Sequence, residues 1–148
     1  MAPLPEYRGC NQFSFAIINK ESVFGTSLHQ MSVGIDDGPL LAERRFKIPK
    51  NCYVDELYDL TFKESMFLFE ESLPSLLNGS LKPIEQSSIY AKRREIHFRK
   101  EINQIKHIDP SWDSEKITRH IRATAMPGFP PPFMILGKKK IKFLTEND

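Results

Sequence analysis

"FGTSLHQMSVGIDDGPLLAERRFKIP", residues 24–49, holds two alternating apolar stretches around a glycine-flanked pair of acids. From Val23 to Val33, Thr26 and Leu28 alternate with Ser27, His29 and Met31, the period of a half-buried strand. Gly34 to Pro39 breaks that pattern. A second alternation over 40–48 puts Leu40, Ala42, Phe46 and Ile48 on one face and Arg45 and Lys47 on the other. Two strands therefore flank the turn that carries Asp36 and Asp37.

Working outward, Pro3 and Pro5 predict an extended entry that ends in a turn at Arg8-Gly9. Asn11 is the expected cap of a short helix reaching about Asn19, with Phe13, Ala16 and Ile17 at helical spacing. On the other side a long helix is expected over 54–77, opened by Asp55 and Glu56 and stopped by Asn78-Gly79. Pro74 predicts a kink or a fresh helical turn near its end. Residues 80–108 read as a polar and then basic connector. In the stretch that follows, Asp113 is a helix cap, Trp112 a staple onto Ile117, and Ile117 and Ile121 the buried stripe. Met126-Pro127-Gly128 ends that helix, and 133–136 with 140–144 form a hairpin around Gly137. The expected division is 1–79, a connector over 80–110, and a small helix-and-hairpin element over 111–148.

At 148 residues the chain suits one domain with its own core. Its 40% hydrophobic and 27% charged residues, with eleven phenylalanines, exclude a disordered tail. A net charge of +2 supplies no field for nucleic acid, leaving only local clusters at Lys92-Arg93-Arg94 and Lys138-Lys139-Lys140. The lysines of "GKKKIKF" alternate with Ile141 and Phe143, as on the solvated face of a hairpin. Cys10 and Cys52 stand far apart without metal-ligand spacing, so neither disulfide nor metal is expected and the thiols are read as reduced. No run suits a membrane span or a signal peptide, and a cytoplasmic location is expected.

Acids in a glycine-flanked turn read first as structural, because short carboxylates bond nearby amides. Their place between two apolar strands adds a second reading, in which one acid acts on a neighbouring imidazole. His29 stands seven residues before Asp36, on the strand entering the turn. His97, His107 and His120 have no carboxylate at a telling spacing and are read as structural or solvated.

"APLPEYRGCNQFSFAIINKE" (2–21) followed by residues 24–49 resembles the second half of the catalytic domain of formyl-tetrahydrofolate-dependent formyltransferases. That family formylates methionyl-tRNA, glycinamide ribonucleotide and sugar nucleotides. The later "RATAMPGFPPPF" (122–133) is similar to the sugar-formylating branch. The resemblance implies an α/β fold: the second half of a Rossmann-type domain plus a small terminal helix and hairpin. It implies formyl-tetrahydrofolate as donor and the amine of a nucleotide-linked amino sugar as acceptor. Asp36 corresponds to the family's catalytic aspartate and His29 to a supporting histidine, while Asp37 is expected to be a loop residue. Val33, Gly34 and Ile35 correspond to the loop beside the folate pterin, and Arg8 and Gly9 to the active-site turn.

The family's catalytic Asn and His lie in a motif N-x-H-x-x-P-L-P, of which this chain supplies only the tail. The resemblance places the expected His immediately before Met1. The chain by itself is therefore expected to be inactive, to take an amino-terminal half in trans, and to self-associate, with neither membrane nor nucleic acid as partner. The alternatives are a methionyl-tRNA formyltransferase-like fragment and a non-catalytic remnant that binds a partner.

Overall fold

The computed structural model describes residues 1–144. Strand β2 (Val23–His29) pairs antiparallel with β3 (Leu40–Lys47), Phe24 opposite Phe46 and Leu28 opposite Ala42. The register slips between Leu28 and His29, which opposes Leu40. Alternation predicted both strands, but β2 stops at His29 where the sequence pattern runs on to Val33. At the neck of the loop the Gln30 amide donates to the Pro39 carbonyl at 2.9 Å, and Met31 and Val33 beyond it are exposed.

Helix α1 (Gln12–Ile18) and helix α2 (Val54–Leu77) close the core around Phe24, which is fully buried. Ring centroids of Tyr7 and Phe13 each lie 5.7 Å from Phe24, and that of Phe46 lies 6.2 Å away. Val54, Leu57, Thr61, Leu68 and Ser72 form the buried stripe of α2, the spacing of one helical face. Polar links fasten the same face to the hairpin: Thr26 Oγ1 is 2.8 Å from Ser65 Oγ, and Arg44 bonds Glu64 at 2.5 Å and Glu71 at 3.0 Å.

One expectation about helix ends is narrowed and one is corrected. Pro74 starts no fresh turn: α2 runs as one α-helix to Leu77, and the Asn78 amide donates to the Pro74 carbonyl at 3.1 Å. The proline sits in the last turns, where the single bond it removes is one of few still to be made. Asn11 does not cap α1. Its backbone is left-handed at φ 59°, and its side-chain amide reaches the Phe98 carbonyl instead, at 2.9 Å.

Residues 80–108 fold into short pieces: β4 (Ile96–His97), parallel to β1 (Arg8–Gly9), and a single turn of helix, α3 (Ile102–Ile105). Helix α4 (Ser114–Thr124) packs on α1, and Asp113 caps it by accepting from the Lys116 amide at 2.7 Å, as expected. Its buried residues are His120, Ala123 and Thr124, with Ile117 and Ile121 only half-buried. Trp112 turns its ring to His120, at 4.4 Å, with Lys116 over it at 4.0 Å, an aromatic and a cation contact. Strands β5 (Phe133–Leu136) and β6 (Lys139–Lys142) make the expected hairpin.

The described residues thus contain three two-stranded sheets, one parallel and two antiparallel, with helices against them. This is an α/β arrangement of the kind expected for part of a larger sheet domain. No helix among the described residues is long and apolar enough to cross a membrane.

Candidate active site

The loop over residues 30–39 closes the β2–β3 hairpin, and its shape follows from its glycines. A Cβ on Gly38 would lie 1.9 Å from the Gln30 carbonyl oxygen, so only glycine lets the two sides of the neck approach. Asp36 has a left-handed backbone, φ 48°, a conformation that short carboxylate residues tolerate better than most.

The two acids diverge from there. The Asp36 carboxylate accepts a hydrogen bond from the Gly9 amide, 2.8 Å from Oδ2, and presents Oδ1 to His29 Nε2 at 4.0 Å. That gap is too wide for a direct hydrogen bond and short enough for an ion pair. The Asp37 carboxylate turns back on its own loop, taking the Ser32 hydroxyl and lying 3.6 Å from Arg8 Nη2. Asp37 is therefore a loop-closing residue by its contacts, while Asp36 reaches out of the loop.

His29 is oriented by its other ring nitrogen. Nδ1 lies 2.9 Å from the Gln30 carbonyl oxygen. A carbonyl only accepts, so Nδ1 carries the proton and Nε2, facing Asp36, is the atom free to gain or lose one.

Arg8 and Gly9 hold this arrangement from across the chain. The Arg8 guanidinium donates twice to the Ile35 carbonyl, from Nε at 3.0 Å and from Nη2 at 2.6 Å. Gly9 has φ 87°, and a Cβ there would lie 2.3 Å from the His97 carbonyl oxygen. The Arg-Gly pair thus lets β1 lie flush on β4 while its two residues grip the loop. Of the three loop residues expected beside a pterin, Val33 and Ile35 are exposed, and Gly34 faces the Asp37 carboxylate within the loop.

One buried residue at the loop went unrecognised in the sequence. Gln86 donates from Nε2 to the carbonyls of Asp36, at 2.9 Å, and Gly38, at 2.7 Å. Nothing local marks it, since it stands among polar residues fifty positions away; only its burial sets it apart.

Of the other histidines, His97 and His120 are packed and His107 is exposed. The His97 ring stacks on Phe15 at 3.7 Å and bonds Glu101 at 2.9 Å, His120 is buried against Trp112, and His107 lies 5.4 Å from the Phe133 ring. No group of three or more His, Cys, Asp or Glu that could hold a metal occurs among the described residues.

No family model matches the chain. It is 33% identical over 138 residues to GDP-perosamine N-formyltransferase of Brucella melitensis, a match over 92% of this chain and 50% of that protein. It is 30% identical to methionyl-tRNA formyltransferase of Sorangium cellulosum, over 97% of this chain and 44% of that one. Its homologues are formyltransferases. Among solved structures, a sugar 3N-formyltransferase crystallised with dTDP and 5-N-formyl-THF superposes with a TM-score of 0.79 at 28% identity, covering 95% of this chain and 49% of the other. The fold described above is thus that of part of a formyltransferase. The chain spans about half the length, or less, of the curated formyltransferases it matches.

Proposed function

We propose that this chain carries the aspartate side of a formyl-transfer site and works as part of a longer catalytic unit. The observation that carries the reading is the Asp36 carboxylate, held by the Gly9 amide and aimed at His29 Nε2. Formyl-tetrahydrofolate is the donor substrate, and the acceptor is the amine of a nucleotide-linked amino sugar. A sugar N-formyltransferase from Helicobacter canadensis, 26% identical, was crystallised with folinic acid and dTDP-3-aminofucose, which supports both assignments.

In this transfer an amine attacks the formyl carbon, and protons must leave the amine as the folate nitrogen departs. Asp36 serves as the fixed negative charge that steadies a protonated partner, and the basic ring nitrogen facing it is His29 Nε2, 4.0 Å away. Val33 and Ile35 offer exposed apolar surface beside the carboxylate, suited to the planar ring of the donor. The Asn and His that the family motif places before Pro3 fall outside these residues, so the chain alone is expected to be inactive. The remaining part of such a domain would supply them. Tyr58, Phe62, Met66 and Phe69, exposed at helical spacing along α2, support a partner that covers this face, and self-association is expected of the isolated chain.

The test mixes the purified chain with a polypeptide equivalent to the part of GDP-perosamine N-formyltransferase that it does not span. Formyl-tetrahydrofolate is supplied with either a nucleotide-linked amino sugar or initiator methionyl-tRNA. Transfer to the sugar only in the mixture, cut about 100-fold or more by Asp36→Asn, is the expected result. Full turnover by the chain alone would overturn the need for a partner, and preference for the tRNA would overturn the choice of acceptor. Absence of transfer to either would sink the reading.

A further inference from the structure

The residue that organises this loop is not in it. Gln86 begins a 3-10 turn, Gln86–Ser88, and is only 5% exposed. Both protons of its amide are engaged, one with each of two loop carbonyls on either side of Asp37, while its Oε1 has no partner. A buried amide left half-satisfied is costly, so its place against the loop needs independent support. That support is on both sides: Leu40 and Ile84 exchange two backbone bonds of 2.8 Å, and Arg94 donates to the carbonyls of Gln86 and Ile89.

With Arg8 on the Ile35 carbonyl, the carbonyls of residues 35, 36 and 38 are all pinned by side chains from outside the loop. Pinning them holds Asp36 in its left-handed backbone and leaves its carboxylate with one direction to take, toward Gly9 and His29. We propose that Gln86 is a positioning residue for the transfer reaction, acting through Asp36. The proposal rests on the function given above and deepens it.

Two measurements separate this role from general stabilisation. In the isolated chain, amide hydrogen exchange is followed at Gly9, whose N–H has the Asp36 carboxylate as its acceptor. Gln86→Leu is expected to speed exchange at Gly9 about tenfold or more while Ala16 and Ile17, inside α1, change less than about twofold. In the complemented enzyme, Gln86→Leu should lower kcat about tenfold or more with KM for the donor nearly unchanged. In an Asp36→Asn background the same change should cost less than about twofold, because two residues acting as one unit are not additive.

Unchanged protection at Gly9, equal acceleration at every amide, or a full multiplicative loss in the double variant would overturn the proposal. Should Gln86→Leu fail to fold, Gln86→Glu is read in its place, since it keeps the size and removes the donor. If the complemented enzyme transfers no formyl group at all, the functional reading has failed, and the exchange experiment still decides whether Gln86 positions Asp36.

Discussion

Gly9→Ala should damage both stability and the site, and a second glycine provides its control. Gly9 and Gly79 share the left-handed backbone, at φ 87° and φ 70°. Alanine in that region costs about 1–2 kcal/mol from its own backbone. At Gly79 nothing lies within 4 Å of the added Cβ, so that cost is the whole of it. At Gly9 the Cβ would also lie 2.3 Å from the His97 carbonyl oxygen and 3.3 Å from Ile96 Cγ2, so β4 must move away from β1. Moving it stretches the bond from the Cys10 amide to the His97 carbonyl, now 2.8 Å, and draws the Gly9 amide off Asp36. Each such bond contributes about 1 kcal/mol. The expected losses in urea unfolding are therefore ~1–2 kcal/mol for Gly79→Ala and ~3–4 kcal/mol for Gly9→Ala. Equal losses for the two variants would show that the β1–β4 contact is not held as tightly as this geometry requires.

Three other outcomes are expected. Asp36→Asn and Asp37→Asn should separate the two acids: in the complemented enzyme the first cuts transfer about 100-fold or more, while the second, whose 3.6 Å pairing with Arg8 is partly exposed, costs less than about tenfold; equal losses would refute the division of roles. Burial, followed by the charges of Arg119 and Lys116, pushes the His120 imidazole below its ordinary value. The unfolded chain then takes up that proton first as pH falls, so stability should be full above about 7 and decline below about 6.5, and His120→Phe should flatten that decline in a pH series of thermal melts. Burial, with Glu56 and Asp55 nearby, pushes the Cys52 thiol up to about 11. At pH 8 only about one part in a thousand is thiolate, so iodoacetamide should label the half-buried Cys10 well before Cys52, and matched rates would contradict the packing of Val54 and Leu57 around it.

What could be read from the sequence was set by contacts close along the chain. Helix α2 was legible at both ends because its acidic first turn and its Asn-Gly stop lie within a few residues of the boundaries they mark. The hairpin was legible through alternation, and Asp36 with His29 through their places on either side of one strand end. Asn11 was misread because its partner, the Phe98 carbonyl, lies 87 residues away and outweighs the local capping habit of asparagine. Gln86 was invisible for the same reason. The family resemblance placed Arg8 and Gly9 in a turn, whereas they form strand β1 against β4, and the grip of Arg8 on the Ile35 carbonyl, within 3.0 Å, exists only in the folded chain.

The hairpin and its loop are held by different parts of the molecule, and His29 stands at the join. Below it, the burial of Phe24 and the polar links of Thr26 and Arg44 tie the strands to α1 and α2. Above it, the loop depends on hydrogen bonds from residues 8, 9 and 86, which are directional and add little by mass of contact. The register slip between Leu28 and His29 falls at this boundary, and a slip of that kind bends a strand and re-aims the side chain beside it. Restoring regular pairing there by deleting Leu41 would leave the packed half intact yet turn His29 Nε2 away from Asp36. A variant of that kind that still folds but loses transfer would locate the function in the directional half of the hairpin, and one that keeps it would show that His29 does not need Asp36 in view.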